Sequence, residues 1–321
     1  MNLIDIQSFA RKLVRPFGIF TDADIENEAR SVTKLCTGKH ANILTVLKHG
    51  RLPNSPYYFF DMPLCETNLE QYILGNFVPK DELNSQEWSS TQMRDRHLKT
   101  LKVTAAWRIT QQIASGLDFL HNEGAVHRDL KPRNGIISYS DSLRLTIVLF
   151  SSQLGNWQLA DFGLAAEASS KRAHTTRYAR GTDSYRAPEL IKDGTFNNKV
   201  DIWSLGCILH ELLLRGKKAF SGDFDVLQYA LSPGAFESPE IRYAIDERTR
   251  SVLASMNVAM LEKNWWERPS AKAVLNVLSL ISCDEIDVSV WTGSSTGQLQ
   301  LRADSKTWDV VAWKPHWYTC Q

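Results

Sequence analysis

Apolar residues recur at helical spacing in "TDADIENEARSVTKLC" (21–36), where Ile25, Ala29, Val32 and Leu35 share one face. Thr21 and Asp24 form a capping-box start for that helix. Two β-rich runs follow, "ANILTVLKHG" and "SPYYFFDM", separated by the turn-like "GRLPNSP". Residues 76–100 are polar and read as a long exposed connection. "TAAWRITQQIASGLDFLHNEG" carries Ile109, Ile113, Leu117 and Leu120 on one helical face, with Gly124 as its stop. "VDIWSLGCILHELLLRG" (200–216) is apolar almost all round and predicts a helix buried in a large core. Helix and strands come first and mostly helices after, which predicts an α+β chain with a small β-rich lobe and a larger helical lobe.

Composition narrows the function classes. The chain has 321 residues, 43% hydrophobic and 23% charged, with a net charge of +1, long enough for two lobes. This balance points to neither nucleic acid nor a membrane surface as a partner. Cys36, Cys65, Cys207, Cys283 and Cys320 are odd in number and form no CxxC pair, the usage of a reducing, cytoplasmic compartment. Asp5, Arg11 and Lys12 interrupt the first apolar residues, so no signal peptide is expected, and no run is long enough to span a membrane.

The charged run "VHRDLKPRN" (126–134) lies between apolar flanks and is followed by "ADFG" (160–163) and "YRAPE" (185–189). In this order the three motifs resemble a eukaryotic protein kinase of the serine/threonine branch, over roughly residues 9 to 282. The resemblance implies a two-lobed kinase-like fold divided as N-lobe and hinge (1–64), C-lobe (65–282) and a C-terminal extension (283–321). It implies ATP and Mg²⁺ as cofactors, a protein substrate with a Ser/Thr acceptor, and catalysis by alignment and charge neutralisation. By resemblance Asp129 orients the acceptor hydroxyl and receives its proton, Lys131 neutralises the transferring phosphate, and Thr182 helps to place the acceptor. Asn134 and Asp161 would hold Mg²⁺, both being hard oxygen ligands. Lys12 in "FARK" would contact the phosphates and pair with Glu28. In "FFDMPL" (59–64), Phe60 would be the gatekeeper, and Asp61 and Pro63 would present main-chain groups to adenine. Asp201 would tie down the catalytic loop, and Glu189 with Arg268 would form a buried ion pair. Ser169, Ser170, Thr175, Thr176 and Tyr178, amid basic residues, suggest a phosphorylation switch.

Three departures from the family pattern shape further expectations. Residues 1–8 contain no glycine, so the glycine-rich loop is missing and the N-lobe reads as truncated, with weak ATP binding expected. The stretch from Asn134 to Asp161 is long, and its excess is placed in "LRLTIVLFSSQLG" (143–155), as a loose excursion or translated intron; removing it leaves "IISYSDS–NWQLADFG" as the hairpin. Residues 283–321 hold Trp291, Trp308, Trp313 and Trp317 with no readable motif. The reading is a serine/threonine kinase; the runner-up is a kinase-like pseudoenzyme that binds partners without turnover.

Overall fold

The computed structural model describes residues 9–16, 21–76, 103–132, 147–167, 174–176, 181–237, 240–241, 247–281, 291–293 and 299–301. The small lobe pairs β1 (Phe9–Val14) with β3 (Tyr58–Pro63), and β3 with β2 (Lys48–Arg51), all antiparallel, in the order β1-β3-β2. Helix α1 (Asp22–Leu35) accompanies this sheet. Its capping box is present as the sequence suggests: Thr21 Oγ1 accepts from the Asp24 N–H, and Asp24 accepts from the Thr21 N–H at 2.8 Å. Ile25, Val32 and Leu35 are buried, so the helical period marks the core-facing side. The β-rich run at 41–50 gives only a short strand at its end, with Ile43 bridged to Leu159.

The chain then enters the larger part through β4 (Thr67–Asn68) and α2 (Leu69–Ile73), which Asn68 caps by accepting from the Gln71 N–H. Helix α3 (Val103–Asn122) stops at Gly124 (φ +72), followed by β5 (Ala125–Val126). A hairpin of β6 (Val148–Ser151) and β7 (Asn156–Leu159) leads to Asp161. Short strands β8 (Ala166–Glu167) and β9 (His174–Thr175) pair with β5 and with β10 (Thr195–Phe196). The helices α4 (Pro188–Asp193), α5 (Lys199–Leu213), α6 (Asp223–Leu231), α7 (Glu247–Met260) and α8 (Ala271–Ile281) complete this part. Helix α5 is buried at every residue from Val200 to Leu213, which accounts for its all-round apolar sequence. Beyond it, β11 (Trp291–Gly293) and β12 (Leu299–Leu301) form an antiparallel pair.

The hairpin corrects one sequence expectation. Residues 147–155 are not an excursion: Ile147, Val148 and Phe150 are core residues, and β6 pairs with β4 on one side and β7 on the other. The apolar "IVLF" run is therefore the strand itself, and its hydrophobicity is what holds it inward. The "IISYSDS" segment, expected as the strand, lies outside the described residues, as do the connection 77–102 and Asn134.

Two long-range devices brace the large lobe. Arg268, 1% exposed, makes a bidentate pair with Glu189 (2.7 and 2.8 Å), and its guanidinium lies 4.9 Å from the Trp203 ring centroid. Gly194 ends α4 at φ +63 and receives the Thr176 N–H on its carbonyl at 2.9 Å. A Cβ on Gly194 would sit 2.4 Å from the Thr176 carbonyl oxygen, so this contact requires glycine.

Candidate active site

Two charge clusters form between the lobes. In the first, β1 alternates so that Lys12 and Val14 turn inward while Arg11 turns out. The Lys12 ammonium lies 2.6 Å from Glu28 Oε1 on α1 and 2.8 Å from Asp161 Oδ1 after β7. Burial works against the Lys12 charge, but Asp161 and Glu28 outweigh it and raise the pKa above the ordinary lysine value. Asp161 is likewise held below the usual carboxylate range: burial opposes its charge, and Lys12 prevails. Glu28 moves the other way, lifted mainly by burial, because one ammonium serves two carboxylates. Asp161 adopts φ +62, an uncommon conformation for a non-glycine residue of the kind that collects at functional sites. Asn27, beside Glu28, donates to the Ala165 carbonyl at 3.1 Å and ties α1 to the segment after Asp161.

The second cluster sits on the loop after β5. Asp129 Oδ2 accepts from Lys131 Nζ at 2.9 Å, and Asp129 Oδ1 accepts from Thr182 Oγ1 at 2.7 Å; Lys131 also donates to Thr182. The loop is held from beneath by Asp201 of α5. Its carboxylate accepts the backbone N–H groups of His127 (2.9 Å) and Arg128 (2.8 Å), and bonds His121 Nε2 at 2.9 Å. Burial alone would raise the Asp201 pKa, yet these partners pull it below the usual range. His127 Nε2 lies 3.0 Å from the Ala160 carbonyl oxygen, joining the two clusters through the residue before Asp161. Arg128, at φ +71, stacks its guanidinium 4.2 Å from the Phe196 centroid. The sequence reading had no place for Asn27, His121 or His127, because each acts through a partner far along the chain.

Among the expected residues, the structure brings together Lys12, Glu28 and Asp161, and separately Asp129, Lys131 and Thr182. Phe60 is fully buried, and with Met62 it lines a small cavity behind Lys12 of about 20 Å³. By sequence, Asp61 is expected to present main-chain groups at the hinge. It lies inside β3, where its carbonyl already accepts the Leu47 N–H at 2.7 Å and its carboxylate pairs with Arg11 at 2.6 and 2.8 Å. The Arg11 hydrogen bond lowers its pKa. The Asp61 carbonyl thus already accepts one bond, and Pro63, lacking an N–H, has only its carbonyl to present. The N–H groups of Leu64 and Cys65, just beyond, have no hydrogen-bond partner among the described residues. Of the suggested switch residues, Thr175 lies in β9 opposite Thr195 and Thr176 bonds Gly194, while Ser169, Ser170 and Tyr178 lie outside the described residues.

A family model described as the protein kinase domain matches residues 7–278. The chain belongs to the eukaryotic protein kinase family. A mitogen-activated protein kinase, mpkC, of Emericella nidulans is 31% identical over 262 residues, covering 79% of this chain and 52% of that protein. The mouse serine/threonine-protein kinase Nek1 is 28% identical over 255 residues, 79% of this chain and 18% of its own length. Cyclin-dependent kinase-like 2 of the rabbit is 27% identical over 208 residues, 64% of this chain and 31% of that protein. The kinase chain thus spans about half or less of the length of these curated relatives. No helix among the described residues is long and apolar enough to cross a membrane.

Proposed function

We propose that this kinase-family chain transfers the γ-phosphoryl group of ATP to serine or threonine hydroxyls of proteins. The observation that carries the reading is the Asp129–Lys131–Thr182 cluster, whose three side chains are in mutual hydrogen-bond contact. The acceptor hydroxyl gives its proton towards Asp129 as its oxygen bonds the γ-phosphorus. The bond from that phosphorus to the β–γ bridging oxygen breaks, and ADP leaves. Lys131 faces the charge on the moving phosphoryl group, and Lys12, fixed by Glu28, faces the other phosphates. Lys131 in this place, contacting Thr182, supports the serine/threonine class.

Magnesium, which the family uses, fits the residues available: Asp161 has a depressed pKa and only one oxygen taken by Lys12, and Asn134 offers an amide oxygen in sequence. When bound there it supplies neutralising charge to the phosphates. For the purine, the N–H groups of Leu64 and Cys65, without a partner among the described residues, and the Pro63 carbonyl are the main-chain groups we assign to the hinge.

The test is transfer of radiolabelled γ-phosphate from Mg·ATP to a generic basic protein, followed by phosphoamino-acid analysis. Label on serine and threonine that disappears in Asp129→Asn is expected. Label on tyrosine alone would refute the acceptor class, and equal label with the variant would refute the role of Asp129. The alternative of binding without turnover predicts saturable ATP binding and no transfer.

A further inference from the structure

Just past the hinge, Glu66 does something neither cluster requires. Its carboxylate accepts from the Ser152 backbone N–H at 2.8 Å on one oxygen and from the Ser152 hydroxyl on the other. Its own N–H donates to the Phe150 carbonyl at 3.2 Å, and the next two residues, Thr67 and Asn68, pair with Phe150 and Leu149 as β4. These hydrogen bonds hold the Glu66 pKa below the ordinary value even though desolvation pushes it up. Ser152 opens the turn of the β6–β7 hairpin. The other end of that hairpin runs directly into Ala160 and Asp161. One antiparallel unit therefore has the hinge fastened to its turn and the phosphate-side carboxylate at its foot, with the length of β7 between them.

We propose that Glu66 is a positioning residue for the nucleotide, acting through Ser152 to fix the spacing between the hinge main chain and Asp161. This rests on the ATP reading above. A nucleoside di- or triphosphate must satisfy the hinge with its base and the Lys12–Asp161 cluster with its phosphates at once, so its affinity depends on that spacing. The Glu66 clasp sets it from the side of the hairpin. The adjoining Cys65 is the hinge residue most directly governed, being one bond from Glu66. The catalytic loop is anchored separately, by Asp201, so loosening the clasp leaves Asp129 and Lys131 in place.

The experiment measures ADP binding by calorimetry for the whole chain and for Glu66→Ala, Ser152→Ala, Ser152→Thr and the Glu66→Ala/Ser152→Ala pair. The clasp is solvent-exposed, so its strength is that of a surface charge-assisted contact: Glu66→Ala should weaken ADP binding about three- to fivefold, and Ser152→Ala, which keeps the backbone N–H bond, by a smaller factor. The double variant should be no weaker than Glu66→Ala alone, because Glu66→Ala already removes both hydrogen bonds whereas Ser152→Ala removes only the hydroxyl one. Ser152→Thr, which keeps the N–H and the hydroxyl, should bind as the parent does. The KM for ATP should rise by the same factor with kcat unchanged. A merely structural contact would lower the melting temperature of the nucleotide-free protein without this KM effect. Unchanged ADP affinity in the alanine variants, or additive losses in the double variant, would overturn the inference. Failure of the parent chain to bind ADP would instead strike the ATP reading itself, and the inference with it.

Discussion

The loop bearing Asp129 is held mainly by backbone groups, whereas the site around Lys12 is held mainly by side chains. Beneath Asp129, a fully buried aspartate on a fully buried helix grips two consecutive peptide N–H groups, so the loop conformation is set before any ligand arrives. Lys12, Glu28 and Asp161 come from a strand, a helix and a post-strand turn that are joined at the cluster by side chains, the Lys12 ammonium and the Asn27 amide. A shift of α1 alone would part Glu28 from Lys12, whereas moving Asp129 requires breaking into the core. The half of the site to which we assign the acceptor is thus preorganised, and the half to which we assign the phosphates conditional.

Breaking the stronger support should have the largest effect. Asp201→Ala leaves two buried peptide N–H groups and His121 without their acceptor, and should cost about 3–5 kcal/mol of unfolding free energy together with all transfer activity. Chemical denaturation checks the first and a radiolabel assay the second; a stable, active variant would erase the contrast. Asp129→Asn should then separate support from chemistry. Transfer should fall by about 10²–10⁴-fold while the denaturation midpoint stays put, since the variant keeps shape and removes the group to which we assign the acceptor proton.

Loosening the conditional half should do less. Glu28→Gln keeps a hydrogen-bonding group near Lys12 but removes the charge, and should weaken ATP affinity about tenfold, a loss comparable to one charge-assisted hydrogen bond. The readout is the KM for ATP against kcat; a fall in kcat with no change in KM would place Glu28 elsewhere in the mechanism.

The smallest effect concerns pH and lies between Thr182 and α6. Asp223 donates its backbone N–H to Asp183, and its carboxylate pairs with Arg186. Burial, aided by Asp183 and opposed by Arg186, lifts the Asp223 carboxyl to about 6 from its ordinary 3.8. The folded protein then holds a proton there that the unfolded chain has lost. This carboxyl favours folding less and less as pH rises from near 4 through 6, and its full cost remains above 6. Asp223→Asn should accordingly gain on the parent as pH rises across that window, by at most about 1 kcal/mol after allowing for solvent screening. Melting curves at pH 4.5 and 7.5 measure the difference, and a gain at the acid end would reverse the assigned sign.

What could be read from the sequence followed the range of the forces involved. The start of α1 was legible because Thr21 and Asp24 satisfy each other within one turn. Helix α5 was legible because burial on all sides leaves an unbroken apolar run. The β6 strand was misjudged because two apolar runs, "GII" and "TIVLF", competed for one place. The choice rests on pairing with Thr67–Asn68, some eighty positions away, which periodicity does not register. Asp61 was assigned to the hinge by motif alone. Setting "FARKLV" antiparallel to "YFFDMP" places Arg11 opposite Asp61, and this cross-strand charge pair would have marked Asp61 as a residue of the sheet.

Gly194 imposes a requirement of handedness. At φ +63, an L side chain would point its first carbon into the Thr176 carbonyl oxygen, while the mirror-image residue would direct that carbon away from it. The seam between β9 and β10 therefore rests on the one genetically encoded amino acid that is achiral. No L-residue substitutes for it without displacing the segment that carries Thr175 and Thr176, whereas a D-alanine introduced by semisynthesis would retain the seam.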